Sequence, residues 1–313
     1  MANSNNPKKE YVFGPVPSRR LGRSLGIDLV PFKTCSYDCL YCQVGLTTDK
    51  TVERKFFVPI DDIISELKTK LDSQPDYITL SGSGEPTLYA GCEKLISSIK
   101  EITDVSVAVI TNGSMLCFED VRRAIMPADL VVPSLDAGDA ETFEKINRPA
   151  CEITFDKMLA GLIEFRRQFK GDFWLEVFFI EGINDSDEQV EKLAVCIEKI
   201  SPDKVQLNTV VRPPAESNVR AVSKDWLERI AGQIYKNAEI IADYSKICQS
   251  GEFSACAADV LEMLKRRPCS AEDVSAGLSI HPNETAKYIA HLADAGKIEP
   301  YNQDGKIYYK AII

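Results

Sequence analysis

From about residue 25 to residue 235, short apolar runs alternate with longer stretches in which apolar and polar positions keep a helical rhythm. The runs at 25–29, 77–81, 105–110, 130–133, 174–180 and 204–208 are short and read as strands. Residues 61–71 place Ile63, Ile64, Leu67 and Leu71 on one face, and Asp61 and Asp62 put negative charge at the amino end, where a helix dipole favours it. Residues 92–102, 119–125, 155–169, 188–200 and 224–235 follow the same logic. Six strand–helix units in series predict an α/β fold, a parallel sheet with helices outside it. A doubly wound sheet and a partial barrel both satisfy this pattern. No G-x-G-x-x-G follows the first strand, which weakens the dinucleotide-binding alternative. In barrels the chemistry sits on the loops after the carboxyl ends of the strands.

Beyond Tyr235 the pattern changes. Residues 257–267 form a short amphipathic helix stopped by Pro268. Ser270, with Asp273 three residues on, caps a second helix that runs to Gly277, and a third spans about 282–295 and ends at Gly296. Residues 298–301 and 306–312 flank the turn Asn302-Gln303-Asp304-Gly305. Three helices and a hairpin predict a small C-terminal winged-helix module over 253–313, with the boundary near 243–253, a core domain over 11–242 and a disordered arm over 1–10. Residues 251–313 hold seven Lys and Arg against nine Asp and Glu, and the third helix offers only Lys287 as a cation. DNA binding is therefore disfavoured, because a major-groove reader presents several basic or amide side chains there. Protein docking or substrate positioning suits the module better, with His281 and His291 as cap or surface residues.

Composition narrows the setting. The 313 residues allow one large domain and a small one, and 44% hydrophobic with 27% charged residues is ordinary for a globular chain. No apolar run approaches the roughly 20 residues that span a bilayer, and residues 1–10 lack the apolar core of a signal peptide, so a cytoplasmic protein without membrane contact is expected. A net charge of −10 disfavours broad adhesion to nucleic acid, although Arg19, Arg20 and Arg23 could gather a local basic patch or a salt-bridged cluster. Ten cysteines without an export signal argue against a disulfide framework. Cys92, Cys117, Cys151, Cys196, Cys248, Cys256 and Cys269 are scattered and read as small buried apolar residues.

The other three stand in Thr34-Cys35-Ser36-Tyr37-Asp38-Cys39-Leu40-Tyr41-Cys42, a C-x3-C-x2-C spacing. Thiolates are soft ligands that suit iron–sulfur clusters and zinc. A structural zinc site wants four protein ligands, and the chain's two histidines both lie in the distal module, so zinc would need a remote cysteine. A four-iron cluster on three thiolates instead leaves one iron open for an exogenous ligand. Zinc loops can mimic the spacing, and a cluster that only senses redox state remains a further alternative.

This motif, with the aromatic Tyr41 just before the last cysteine, resembles that of the radical S-adenosylmethionine (SAM) superfamily. The resemblance covers roughly residues 11–240 and implies a partial (β/α)6 barrel. It implies a [4Fe–4S] cluster on Cys35, Cys39 and Cys42, whose open iron binds the amino and carboxylate groups of SAM. Reductive cleavage there gives a 5′-deoxyadenosyl radical, with the electron drawn from a donor such as flavodoxin or ferredoxin. Ser81-Gly82-Ser83-Gly84-Glu85-Pro86-Thr87, after the second strand, is similar to the family's glycine-glycine-glutamate motif; Gly84 and Glu85 would meet the cofactor's amino group, with Ser83-Gly84 replacing the usual glycine pair. Thr111-Asn112-Gly113 follows the third strand, and Asn and Gly both tolerate positive φ. Ser134-Leu135-Asp136 follows the fourth, where Ser134 and Asp136 would meet the ribose hydroxyls. Tyr41, Gly84, Glu85, Asn112, Ser134 and Asp136 are thus the expected cofactor-binding set. Glu176 and the segment Gly182-Ile183-Asn184-Asp185 follow as weaker contacts to adenine or methionine, and Gln206 and Asn208, alternating on the sixth strand, would line a substrate pocket or be satisfied interior groups.

The segment Gly14-Pro15-Val16-Pro17-Ser18-Arg19-Arg20-Leu21-Gly22 is similar to a group loosely related to the tRNA wyosine synthases. Archaeal members of that group carry a second cluster on upstream cysteines, and no cysteine precedes Cys35 here. With the acidic charge, this leaves tRNA modification as the second reading. The substrate, whether small molecule, peptide or RNA, is not legible.

Overall fold

The structure, a computed structural model, describes residues 11–18, 20–210, 214–216, 218–242, 257–278, 282–303 and 306–312. The arm over 1–10, Arg19, Cys248, Cys256, the boundary at 243–253, His281 and the Asp304-Gly305 part of the predicted turn lie outside the described residues.

The chain opens with strands β1 (Val12–Ser18) and β2 (Gly22–Ile27), then a two-residue ladder of β3 (Thr34–Cys35) and β4 (Asp49–Lys50). It continues through α1 (Ile60–Lys70), β5 (Tyr77–Leu80), α2 (Cys92–Ile102), β6 (Ser106–Thr111), α3 (Glu119–Ile125) and β7 (Leu130–Pro133). Next come α4 (Ala140–Asn147), α5 (Phe155–Gln168), β8 (Asp172–Phe179), α6 (Asp187–Ile200), β9 (Lys204–Thr209), α7 (Lys224–Ile234) and β10 (Ala238–Ile240). The last elements are α8 (Ala257–Arg266), α9 (Ala271–Leu278), α10 (Pro282–Asp294), β11 (Ile298–Gln303) and β12 (Lys306–Ala311). Asp139, Thr154, Ser186 and Ser223 cap α4, α5, α6 and α7, each side chain accepting from a backbone N–H three residues on.

One sheet holds eight strands in the order β1-β2-β5-β6-β7-β8-β9-β10. From β2 onward every neighbouring pair is parallel, and β1 pairs antiparallel with β2. The strands lie in chain order with no reversal, which separates this sheet from a doubly wound one. Right-handed crossovers without a reversal lay all the helices on one face, as in a barrel. β1 and β10 stay as edges, so the barrel is partial.

Period-two alternation divides the two faces. Leu25, Ile27, Ile78, Leu80, Val107, Val109, Leu175, Val177, Val205 and Leu207 join the helices in one continuous core. The opposite face carries Ser24, Thr79, Gln206 and Asn208, with a small apolar plug of Leu21, Ala108, Leu130 and Val132. Helices thus enclose one side, and the other becomes a partly polar interior.

Besides the two-residue β3 and β4, two strands and a helix depart from the reading of the sequence. β1 occupies a segment read only as a lead-in to the cysteines, because Gly14, Pro15 and Pro17 punctuate it; an edge strand tolerates them. β10 is a three-residue edge strand. α4 is short, but Asp139 as cap and Phe143 and Ile146 three apart were a legible signal.

The three C-terminal helices and the β11–β12 hairpin occur in the predicted order, around a separate apolar cluster that includes Val260, Leu264, Val274, Ile289 and Ile298. Helices α8 and α9 pack on β1. Arg266 clamps this junction: its guanidinium lies 2.5 Å from Asp28 and 3.7 Å from the centre of the Phe13 ring. Among the described residues no helix is long and apolar enough to cross a membrane.

Candidate functional site

The cysteine loop is laid across the carboxyl ends of the strands and pinned on both sides. On one side, Lys33 N–H donates to Ser83 O at 2.8 Å and Glu85 N–H to Thr34 O at 3.1 Å. On the other, Asp38 and Leu40 donate to the carbonyls of Asn147 and Ile146, each at 3.0 Å, at the end of α4. The close approach on the first side requires Gly84, since a Cβ there would stand 2.0 Å from Thr34 O.

Cys35, Cys39 and Cys42 are free and half-buried. Each sulfur has its own N–H donor: Asn112 Nδ2 reaches Cys35 at 3.5 Å, Asn147 Nδ2 reaches Cys39 at 3.5 Å, and Lys33 Nζ reaches Cys42 at 3.1 Å. Donors aimed at sulfur favour the thiolate, the form that binds metal. In the chain alone Cys35 and Cys39 resist ionisation. Burial, then the charge of Glu85, pushes Cys35 up to about 12, and burial with the charges of Cys35 and Asp136 pushes Cys39 well up. Beyond the ammonium of Lys33, a bound metal centre would bring the positive charge these sulfurs want, and its binding would expel the protons of Cys35 and Cys39. Among the described residues no group of three or more His, Cys, Asp and Glu side chains is placed to hold a metal ion. By the chemistry of the donor set, three soft thiolates on one loop, each with an N–H partner, suit an iron–sulfur cluster.

Glu85 is 2% exposed, and its carboxylate is the hub of the next two loops. It accepts from Thr87 N at 3.0 Å, Thr87 Oγ1 at 2.5 Å, Thr111 Oγ1 at 2.6 Å and Asn112 N at 2.8 Å. Burial raises its pKa and these four donors oppose the rise. The side chain expected to meet a cofactor amine is thus occupied by its own chain, and what it holds in place is the backbone around Gly84 and Asn112. Ser83, where a glycine was expected, donates to Asp28 at 2.7 Å. In Thr111-Asn112-Gly113, only Gly113 takes a positive φ (78°), while Asn112 uses its side chain to bridge Cys35, Ser36 and the backbone of Ser114.

Glu85→Gln is expected to lower stability by about 1–3 kcal/mol, since an amide nitrogen must then face a donor it cannot accept from. A melt should show Tm falling by several degrees with iron content kept; an unchanged Tm would remove the hub role.

Asp136 is likewise 2% exposed and internally satisfied. It accepts from Tyr41 Oη at 2.5 Å, Asn147 Nδ2 at 2.8 Å and Phe178 N at 3.0 Å. Burial pushes it up to about 6 against those donors. Tyr41 stacks on Phe178 with ring centres 4.0 Å apart. Asn184 donates to the carbonyls of Asp136 and Phe178, both at 2.8 Å, which locks the β7 and β8 ends together. Ser134, half-buried beside this network, has no side-chain hydrogen bond among the described residues. Asn147 was missed in the sequence, because nothing local shows that one amide would join Asp136 to Cys39. Lys33 was missed as well.

Of the arginines read as a basic patch or a salt-bridged cluster, Arg20 turns inward to an ion pair with Glu176 at 2.8 Å, and Arg23 bonds the carbonyl of Ser73. Asn208 donates to the other Glu176 oxygen at 2.8 Å and Gln206 to Glu239 at 2.7 Å, so both act as interior groups with partners. Of the scattered cysteines, Cys92, Cys196 and Cys269 are buried, Cys117 is half-buried and Cys151 is exposed, against the expectation for it. His291 is exposed, as a surface residue.

The pattern of the Radical SAM superfamily matches residues 29–194, a span that contains the three cysteines and the loops of Glu85, Asn112 and Asp136. A UPF0026 protein of Methanocaldococcus jannaschii is 35% identical over 95% of this chain and 94% of its own length. A Brachyspira hyodysenteriae protein named GTPase Obg is 40% identical over 96% of this chain, which spans only 45% of that protein. Among solved structures, TYW1 with a lysine–pyruvate adduct bound superposes with a TM-score of 0.51 at 18% identity, covering 72% of this chain and 76% of that one, a likeness of fold. With a barrel wound in one direction, three thiols on its mouth and that match over more than half its length, the chain belongs to the radical SAM superfamily, enzymes that cleave S-adenosylmethionine reductively at a [4Fe–4S] cluster.

Proposed function

We propose that Cys35, Cys39 and Cys42 hold the cluster and that the loops after β5, β6 and β7 hold SAM against its open iron. The observation that carries this is the dedicated N–H donor on each of the three sulfurs. The bound pair supplies a 5′-deoxyadenosyl radical; the protein supplies placement and shielding. The backbone at Gly84 faces the amino group, and Asn112, Ser134 and Tyr41 edge the rest of the cofactor. Glu85 and Asp136 act at one remove, as positioning residues. The enzyme works in the cytoplasm and takes its electron from flavodoxin or ferredoxin. The reading of the cluster as a redox sensor on a DNA-binding protein finds no support in the relatives or the fold.

Anaerobic reconstitution of the full chain, followed by dithionite and SAM, is expected to release 5′-deoxyadenosine. Iron-loaded protein that leaves SAM intact under those conditions would refute the assignment.

A further inference from the structure

Two cavities adjoin where the C-terminal helices meet the barrel. The inner one, about 250 Å³, lies between the interior face of β1, β2 and β5 and helix α8; Ser24, Ser81, Arg20, Arg266 and Arg267 are on its wall. The outer one, about 380 Å³, opens beside Cys42, with Lys265, Arg266, Arg267, Tyr301 and Lys310 on its wall. The space beside Cys42 is thus bounded on its far side by the C-terminal unit.

That unit brings four cations to a protein of net charge −10. Three are matched by acids: Lys265 with Glu262 at 2.5 Å, Arg266 with Asp28 at 2.5 Å and Lys310 with Glu299 at 3.0 Å. Arg20, on the barrel side, is matched by Glu176. The guanidinium of Arg267 is half-buried, lines both cavities, and has no hydrogen bond or ion pair among the described residues. Its position follows from the sequence. Pro268 drives the residue before it out of helical geometry, so α8 stops at Arg266 and Arg267 leaves the helix at the cavity edge. A half-buried cation gains from a counter-charge, and a planar guanidinium matches carboxylate and phosphate oxygens in pairs.

We propose that Arg267 binds an anionic oxygen group, phosphate or carboxylate, of a small substrate, and that the C-terminal unit serves to deliver this residue to the cavity beside the cysteine loop. That the ligand is the substrate rests on the radical-enzyme reading; the anion site itself does not.

The test uses the full chain, first shown to carry iron and to release 5′-deoxyadenosine, so that failure of the radical reading appears before any titration. Calorimetric titrations with inorganic phosphate and with acetate, SAM present, are then run on the parent, Arg267→Gln and Lys170→Gln, the last at an exposed lysine remote from the cavities. Parent and Lys170→Gln should bind one of the anions alike, and Arg267→Gln at least tenfold more weakly, the loss of a charge-assisted pair. Preference for phosphate or for acetate identifies the group. SAM affinity by equilibrium dialysis should be the same for parent and Arg267→Gln. The proposal falls if the parent binds neither anion, if Arg267→Gln binds as the parent does, or if the variant loses SAM instead, which would place Arg267 in the cofactor site.

Discussion

Cys39→Ala protein is expected to leave anaerobic reconstitution colourless, with iron near background where the parent holds about four per chain. Cys39 lies in the middle of the loop and bonds Asn147, which also holds Asp136. Removing its sulfur takes away one of three thiolates and leaves two, too few to hold a cubane, with Cys35 pushed toward the thiol by burial and the charge of Glu85. Cys92 offers no replacement, since it is wholly buried with its sulfur against the carbonyls of Pro86 and Tyr89. Cys151→Ala, at the exposed cysteine, is the matched control and should load iron as the parent does. Release of 5′-deoxyadenosine should vanish with the iron. A Cys39→Ala protein that retained a full complement of iron would place the cluster elsewhere.

The second large effect is expected at Gly84. An alanine Cβ would stand 2.0 Å from Thr34 O, 2.9 Å from Thr34 C and 2.9 Å from Val30 Cγ2. Two of those atoms are backbone, which cannot swing aside as a side chain does. Relief requires lifting the cysteine loop off the β5 loop, which breaks the Glu85 N–H to Thr34 O bond and moves Cys35 from Asn112. The cost is about 3 kcal/mol or more, at the upper end for overpacking. For a chain of this size that is a fall in Tm of roughly 10 °C. Iron content should fall too, because the loop that presents the sulfurs is the part displaced. Ser83→Ala, next door, loses only hydrogen bonding to Asp28 and should cost about 1 kcal/mol with iron retained. Equal melting curves for Gly84→Ala and the parent would show that the two loops are not locked together as described.

Both predictions concern residues visible in the sequence, yet their reasons came from different places. Cys39 could be singled out from spacing alone, because ligands within one loop are local. Gly84 could be singled out as part of a motif, but its need to be glycine lies in Thr34, fifty residues earlier in the chain. Glu85 and Asp136 show the sharper divergence. As isolated carboxylates after strands they suggested direct contact with a ligand. Folded, each is buried among three or four donors of its own chain, and those donors come from Thr87, Thr111, Asn112, Tyr41, Asn147 and Phe178. Arg20, read as part of a basic patch or a salt-bridged cluster, is the interior ion-pair partner of Glu176.

By itself the sequence determined the alternation of strands and helices, the barrel-type placement of polar motifs after strand ends, and the three sulfurs with their soft-metal chemistry. Periodicity, turn chemistry and loop spacing are local properties, carried by residues within a few positions of one another. Tertiary structure alone decided that the sheet winds in one direction without reversal, that β1 and β10 remain edges, which carboxylates are spent on the chain's own donors, and that Arg267 stands without a counter-charge among the described residues, at the cavity beside the cysteine loop. Each of these depends on which distant segments meet, and hydrogen-bond satisfaction and charge pairing take their values only after the chain has brought them together.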